Sequence, residues 1–359
     1  MIKSVVLCYS CCGDIMKNES KILYDIQKRK KYLQKRLAVT TDAKEIRAIS
    51  CSLQNYLEME YHLSNLSIFL EKMSLSLFKQ SIMLNRSVPY LSKIDVNSNY
   101  LDKKLDVDYV HQLLSKLAIP YFFDIPSTLT YNDNELIKLT RDFYNETFTG
   151  KIRDYALEII GSHNIYMMNK AVLFTNIYGK NYADPYFGDT YCYVFRSNTD
   201  IDFLTLAHEV YHSVCFKLNR DSVYSFVNES KEIGTTTIEL LFTDYLIKQG
   251  SNLANIGNYL KKVIITSLSN RSHLLNANFG NINQSISFTS DFLLLEAMIV
   301  GYGLYLEYLD DPVKTSNKMI EIAQYNFNND NLPDYSSFGY SKEEILSLSK
   351  NFKSKQKII

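Results

Sequence analysis

The stretch LAHEVYHSVCF (residues 206–216) places His208 and His212 four residues apart, inside a helical run that begins near Asp202. Side chains four residues apart lie one turn apart on the same face of a helix. Both imidazoles can therefore reach one metal ion, with the Glu209 carboxylate beside them. The pattern also arises by chance, and two solvated histidines on an amphipathic helix are the alternative interpretation.

A set of acidic residues follows this motif. The segment 228–246 reads NESKEIGTTTIELLFTDYL, and its Glu229, Glu232 and Glu239 are spaced by three and seven residues, which places them on one helical face. A catalytic zinc takes three protein ligands and keeps one position open. We therefore predict Glu232 as the third ligand and Glu239 as a residue that orients a ligand histidine. Glu229 is an alternative ligand, although its position suits a helix cap better.

The amino-acid composition argues against some classes of function. The 359 residues carry 39 basic and 39 acidic side chains, so the formal net charge is zero, and nothing indicates binding to nucleic acid or to an anionic membrane. No run of 18 apolar residues and no secretory leader are recognised, which predicts a cytoplasmic protein without membrane spans.

The six cysteines are expected to be free thiols. A metal or redox role for Cys8, Cys11 and Cys12 is the alternative, and no second cluster completes a zinc site.

Hydrophobic periodicity predicts a mainly α-helical protein. Helices are expected within 20–85 with a break at Asp42, and then over 107–118, 132–160, 202–218, 230–249, 254–268, 290–309 and 314–326, with one more in the C-terminal tail. Residues 171–199 are rich in β-branched and aromatic side chains broken by turn formers, which predicts a small sheet of three strands. We expect a helical N-terminal lobe (1–100) and a second region (101–359) within one cooperative unit.

The two motifs resemble those of a known family. TLAHEVYHSV followed by KEIGTTTIELLFTDYL is similar to the zinc oligopeptidases related to oligoendopeptidase F and thimet oligopeptidase. In that family the first Glu of the second helix binds zinc; it corresponds to Glu232, and the last Glu corresponds to Glu239. Thr235 stands where the family usually has Ser. The segment GKNYADPYFGDTYCYVFRSNTD also resembles the family's strand before the motif helix, and the similarity covers roughly residues 105–345.

This resemblance implies a fold and an activity. It implies a bilobed helical metallopeptidase of the zincin type, with a small sheet beside the active-site helix and one zinc ion per chain. The substrates would be short unfolded peptides, and Glu209 would be the catalytic base. An edge strand pairs with extended substrate in such enzymes. That role passes to Tyr191–Phe195, and with it a substrate-binding role to Tyr191 and Tyr193.

Three departures from the family pattern put efficient catalysis in doubt. Tyr211 replaces the usual Gly before the second motif histidine, which predicts a bulky ring beside the metal ligands. The segment between the second histidine and the predicted third ligand is a few residues shorter than in the family. The region 285–308 lacks the His and the clustered Tyr that precede a glycine and stabilise the oxyanion. His273 and Tyr302 are candidates to replace them at the substrate, although Tyr302 is also a typical core aromatic.

Three rival interpretations stay open. A thermolysin-like zinc hydrolase would suit the ligand spacing but carries a β-rich N-terminal lobe, which this sequence does not predict. A catalytically weak or silent relative would bind zinc together with a peptide or a partner protein. A helical scaffold without metal is the third.

Overall fold

A computed structural model describes residues 9–63, 105–117, 131–162, 164–169, 179–197, 199–219, 231–279, 286–325 and 333–355. The described residues form two compact units. The first contains residues 9–63 and the turn segment 182–189, and the second contains the other described residues. The predicted boundary near residue 100 lies outside the described residues, and the single cooperative unit stays a prediction.

Two helices build the first unit, α1 (Tyr9–Leu37) and α2 (Ala43–Leu63). Asp42 separates them, and its Oδ1 accepts a hydrogen bond from the backbone N–H of Lys44 at 2.9 Å. This bond satisfies one of the free N–H groups of the first turn, as an N-cap residue does. The predicted break at Asp42 is therefore confirmed, whereas the predicted helix beyond residue 63 lies outside the described residues.

A buried carboxylate ties the turn segment to both helices of the first unit. Asp184 accepts hydrogen bonds from Ser52 Oγ at 2.6 Å, from the Tyr56 hydroxyl, and from Arg29 Nη1 at 3.2 Å. A buried charge is tolerated only when it is paired and hydrogen-bonded. Asp184 meets this condition, so it acts as a structural anchor of the unit.

The second unit is mainly helical, as predicted. Its helices are α3 (Val107–Leu117), α4 (Asp133–Thr147), α5 (Gly150–Gly161), α6 (Ile201–Leu218), α7 (Glu232–Lys248), α8 (Ser251–Phe279), α9 (Ile286–Asp310), α10 (Pro312–Gln324) and α11 (Lys342–Lys355), with a 3-10 turn at Ser336–Phe338. The single helix expected over 132–160 is two helices. The chain is extended at Phe148 and Thr149, and Gly150 has φ of 62°, a conformation that favours glycine.

A three-stranded sheet accompanies these helices and consists of β1 (Ile165–Asn169), β2 (Gly179–Asp184) and β3 (Asp189–Arg196) in the order β1-β3-β2. The number of strands and the places of β2 and β3 are as predicted, but β1 precedes the predicted range 171–199. β1 runs parallel to β3, with Tyr166 opposite Tyr193. The segment Tyr191–Phe195 therefore belongs to the central strand. The prediction that it is an edge strand open to a peptide is wrong, because β3 is hydrogen-bonded to a strand on each side.

Helix α9 packs closely against α7 in the core. Gly301 permits this approach, because a Cβ there would overlap the carbonyl oxygen of Ile233, and Thr237 Oγ1 donates a hydrogen bond to the Gly301 carbonyl at 2.9 Å. The segment Asp291–Asp310 is long and apolar enough to cross a membrane, and 72% of its most apolar window is buried inside the protein. A buried core helix meets the same criteria, so this feature is weak support for a membrane span.

Glu296, on α9, is a buried carboxylate that receives a hydrogen bond from the Tyr109 hydroxyl at 2.6 Å. Burial raises its pKa to about 7, against the opposing effects of Tyr109 and Lys342. A carboxyl group with a raised pKa stabilises the fold fully below its unfolded pKa, and the contribution is lost as the pH rises through the folded pKa. Glu296→Gln should therefore raise the free energy of unfolding near pH 9 by on the order of 1–3 kcal/mol and change it little near pH 4.

Thermal unfolding of both proteins at the two pH values measures this difference. Glu307→Gln on the same helix is the control, because Glu307 pairs with Lys318 Nζ at 2.8 Å and its loss should not stabilise the protein at high pH. An equal effect of Glu296→Gln at both pH values would contradict the titration of Glu296 between them.

Candidate metal centre

Helix α6 carries the histidine motif, and its start near Asp202 is as predicted. The Asp202 carboxylate accepts hydrogen bonds from Arg196 Nε and from the backbone N–H of Ser197, both at 2.8 Å. An acidic group in the first turn also interacts favourably with the positive end of the helix dipole. The start of the motif helix is thus held to the end of β3.

Three predicted ligands converge on one point. The Nε2 atoms of His208 and His212 are 2.9 Å apart. Glu232 places Oε2 at 3.4 Å from His208 Nε2 and Oε1 at 3.4 Å from His212 Nε2. One ligand atom from each of these residues lies within 4.8 Å of the others, so the group can hold a metal ion.

The spacing of these donor atoms fits a small tetrahedral ion. Bonds of about 2.0–2.2 Å from zinc to imidazole nitrogen and carboxylate oxygen place tetrahedral ligands about 3.3–3.5 Å apart. The two separations of 3.4 Å, one from each histidine to a different oxygen of Glu232, lie in that range. The two histidine Nε2 atoms, 2.9 Å apart, are closer together than the range. Two imidazoles and one carboxylate are also a donor set found in catalytic zinc sites, whereas calcium and magnesium prefer oxygen ligands. The three side chains keep 17–28% of their surface exposed, so solvent reaches the centre.

Glu239 orients the first of these histidines. Its Oε1 lies 2.9 Å from His208 Nδ1. A proton on Nδ1, donated to this carboxylate, leaves the lone pair of Nε2 directed at the other ligands. The seven-residue separation of Glu232 and Glu239 on α7 thus places one carboxylate at each nitrogen of the His208 ring.

The carboxylates make this centre strongly attractive to a cation. Burial by itself lowers the pKa of His208, but Glu232, Glu239 and Glu209 outweigh burial and raise it to about 10. Burial raises the pKa of Glu232, but the two motif histidines more than compensate and hold it well below its usual value. A metal ion must compete with protons for such imidazoles, so its affinity is expected to fall as the pH falls.

Glu209 lies beside the three ligands and is only 5% exposed. Its Oε2 has no hydrogen-bond partner among the described residues. Burial raises its pKa, while the two motif histidines and Lys180 oppose this rise. A buried polar atom normally has a partner, so Oε2 is available to hydrogen-bond a bound molecule and to accept a proton from it.

Gly179, at the start of β2, lies directly against this glutamate. A Cβ built at Gly179 would lie 2.6 Å from Glu209 Oε1 and 2.7 Å from Thr205 Cγ2. Because no real side chain tolerates such distances, the close approach of β2 to the Glu209 carboxylate requires glycine here. The sequence contained the signal, a glycine that begins a strand, but not the contact.

The thiol of Cys192 connects the sheet with the motif helix, and the sequence did not indicate this contact. Cys192 Sγ lies 3.4 Å from the Glu209 carbonyl oxygen and 3.1 Å from Ser213 Oγ, and Asn181 Nδ2 donates a hydrogen bond to the same Ser213 Oγ. Burial raises the pKa of Cys192 to about 12, so it is a neutral thiol. These contacts connect β2, β3 and α6, and no local sequence pattern predicts them.

The described cysteines agree with the expectation of free thiols. Cys51, Cys192 and Cys215 are all free and buried. Cys8 lies outside the described residues, as do the side chains of Cys11 and Cys12. Their role therefore stays open.

The Tyr211 ring is buried at the interface between α6 and α7. It is 1% exposed, and Gly234 on α7 provides the space for it. A Cβ at Gly234 would lie 2.6 Å from Tyr211 Cζ. Gly234 is two positions after Glu232, and the expectation of a bulky ring beside the metal ligands stays a prediction.

The other predicted substrate-binding tyrosines are buried. Tyr191, Tyr193 and Tyr302 are at most 7% exposed, and Tyr302 stacks on Tyr305 in the core. Their contact with a substrate stays a prediction. The side chain of His273 and the whole of Glu229 lie outside the described residues, so their predicted roles stay predictions.

Comparisons of the chain with models of protein families, with curated proteins and with solved structures find no match.

Proposed function

We propose that this protein is a zinc-dependent endopeptidase that hydrolyses short unfolded peptides, and that it is a short, divergent relative of the zinc oligopeptidases. The observation that carries the proposal is the convergence of His208, His212 and Glu232 within 3.4 Å. Beside them lies a carboxylate oxygen of Glu209 that has no hydrogen-bond partner in the part of the chain that the structure describes. The described N-terminal residues are helical, which argues against a thermolysin-like enzyme with its β-rich N-terminal lobe.

The chemistry divides between the ion and the side chains. His208, His212 and Glu232 would hold a zinc ion, which would supply a Lewis acid for the hydrolysis. The contact of Glu239 with His208 Nδ1 would keep His208 in the tautomer that can bind the ion. Glu209 accepts a proton from the attacking water and returns it to the departing amine as the C–N bond breaks.

The strand β2 is the best candidate to bind the peptide backbone. Among the described strands it is paired only with β3, so it forms an edge of the sheet. An extended peptide can add to such an edge through main-chain hydrogen bonds. Gly179–Asn181 lies on this edge, and Gly179 contacts Glu209. We therefore assign to β2 the peptide-binding role that was predicted for the central segment Tyr191–Phe195.

A catalytically weak or silent protein that binds zinc together with a peptide or a partner protein is the second candidate. The observation that favours it is the position of the tyrosines on α9. Tyr302 is buried in the core, and the Tyr305 hydroxyl donates to Asp244 at 2.6 Å. Loss of one oxyanion donor costs about 10²–10³ in rate. The buried Glu209 favours catalysis, because a protein that only binds needs no base beside its metal.

Zinc content and peptide cleavage distinguish these possibilities. The purified full chain is analysed for zinc by mass spectrometry and then incubated with a pool of short peptides. One zinc ion per chain, with cleavage that a chelator abolishes and added zinc restores, is the expected result. Zinc without cleavage would favour the binding protein. A chain that takes up no zinc would contradict both candidates and favour a helical scaffold.

Gly179→Ala should impair hydrolysis without removing the metal. The new methyl group would displace the Glu209 carboxylate or the strand, and a misplacement near 1 Å costs about a hundredfold in rate. The checks are kcat/KM on a cleaved peptide and zinc content. Gly161→Ala is the matched control, because a Cβ at Gly161 meets no atom within 4 Å. Wild-type activity in Gly179→Ala would show that the contact with Glu209 does not matter.

A further inference from the structure

Thr235 contacts the carboxylate that completes the ligand group. Its Oγ1 lies 2.9 Å from Glu232 Oε2 and 3.0 Å from the Glu232 backbone carbonyl oxygen. The side chain is fully buried, and the two residues are one turn apart on α7. A hydroxyl has one proton, which can be shared between two acceptors in a three-centre hydrogen bond.

The backbone contact explains how Thr235 holds its direction. Threonine in a helix divides between two side-chain rotamers, and a bond from Oγ1 to the carbonyl three or four residues earlier selects one of them. Here that bond goes to the Glu232 carbonyl, and the selected rotamer points the same hydroxyl at Oε2. Serine can make both contacts but lacks the methyl group that restricts the rotation.

Glu232 needs such support. It is the first residue of α7, and 28% of its side chain is exposed. A glutamate side chain that becomes fixed when the metal ion binds loses rotamer freedom, and this loss opposes binding. If a hydrogen bond already fixes the Glu232 carboxylate before the metal ion binds, less rotamer freedom is lost on metal binding.

We propose that Thr235 is a positioning residue, which presents the Glu232 carboxylate to the metal ion through a hydrogen bond to Oε2. The inference rests on the proposed zinc centre and adds a residue that acts on it without touching the ion. Hydrogen-bond partners of metal ligands typically contribute 10–100-fold to metal affinity. Thr235 should contribute within this range, and its hydroxyl rather than its shape should be responsible.

Zinc affinity, measured by competition with a chromophoric chelator, tests this role in three variants of the full chain. Thr235→Val keeps the shape and removes the hydroxyl, and it should weaken zinc binding 10–100-fold. Thr235→Ser keeps the hydroxyl and should stay within about threefold of wild type, below that range. Thr237→Val is the matched control. It removes a buried hydroxyl from the same helix, but that hydroxyl donates to the carbonyls of Ile233 and Gly301 and not to Glu232. It should lower the thermal midpoint without changing zinc affinity.

The outcomes separate this role from the zinc centre itself. Wild-type affinity in Thr235→Val would overturn the positioning role and leave the zinc centre standing. An equal loss in Thr237→Val would also overturn it, because the effect would then come from the packing of α7. A wild-type chain that binds no zinc would overturn the centre and the role together.

Discussion

Replacement of Glu209 with glutamine is expected to lower the rate of peptide hydrolysis by about 10²–10⁴-fold, which is the usual contribution of a positioned general base. Zinc content should not change, because Glu209 is not one of the three grouped ligands. Glutamine has nearly the same shape, but its amide cannot accept and return the proton. The measurement is kcat/KM on one cleaved peptide, together with the zinc-to-protein ratio of each preparation.

The control for this variant is Glu158→Gln, which also replaces one carboxylate with an amide. Glu158 is exposed and pairs with Lys217 Nζ at 2.7 Å on the protein surface. Its substitution should leave hydrolysis and zinc content unchanged. Glu209→Gln with the wild-type rate would contradict the role of Glu209 as the base. Loss of zinc from this variant would instead show that Glu209 supports the metal.

Replacement of Glu232 with glutamine is expected to have the largest effect on metal binding. It removes the only carboxylate of the ligand group and leaves a neutral amide beside two imidazoles. Zinc affinity should fall by more than the roughly 100-fold upper limit that is typical for residues behind the ligands. Hydrolysis should disappear at limiting zinc.

Glu239→Gln is the comparison for Glu232→Gln, and it should weaken zinc binding less. Glu239 contacts His208 Nδ1 and lies behind the ligands, so its substitution should weaken zinc binding by only about 10–100-fold. Competition titrations at two pH values measure both variants, and affinity should fall towards low pH as protons compete for the imidazoles. Equal losses in the two variants would contradict the assignment of Glu232 as a ligand and Glu239 as its support.

Local sequence patterns predicted much of this architecture. The helices around the motif, the break at Asp42 and the strands β2 and β3 follow from hydrophobic period, capping and turn residues, all of which act over a few neighbouring positions. The spacing of His208 and His212, and of Glu232 and Glu239, likewise determines which side chains share a helical face. The prediction that the histidine face packs against the glutamate face rested on charge, because carboxylates on a buried helical face require a partner.

Contacts between elements that are distant in the chain were not predictable in this way. The order of strands depends on which edges meet, so the sequence placed Tyr191–Phe195 at the edge of the sheet, whereas the fold places it at the centre. The packing of the Tyr211 ring against α7 was likewise not visible in the sequence. The ring is accommodated by Gly234, which stands more than 20 positions later.

The sequence by itself thus determined the helical composition of the protein and the donor atoms that can bind a metal, because both depend on residue type and on spacing within single helices. Only the tertiary structure decided how those donors are supported. The approach of Gly179 to Glu209 depends on the packing of β2 against α6. The contact of Cys192 Sγ with the Glu209 carbonyl oxygen depends on the packing of β3 against α6. Such contacts arise from distances of a few ångströms, which residue order does not specify.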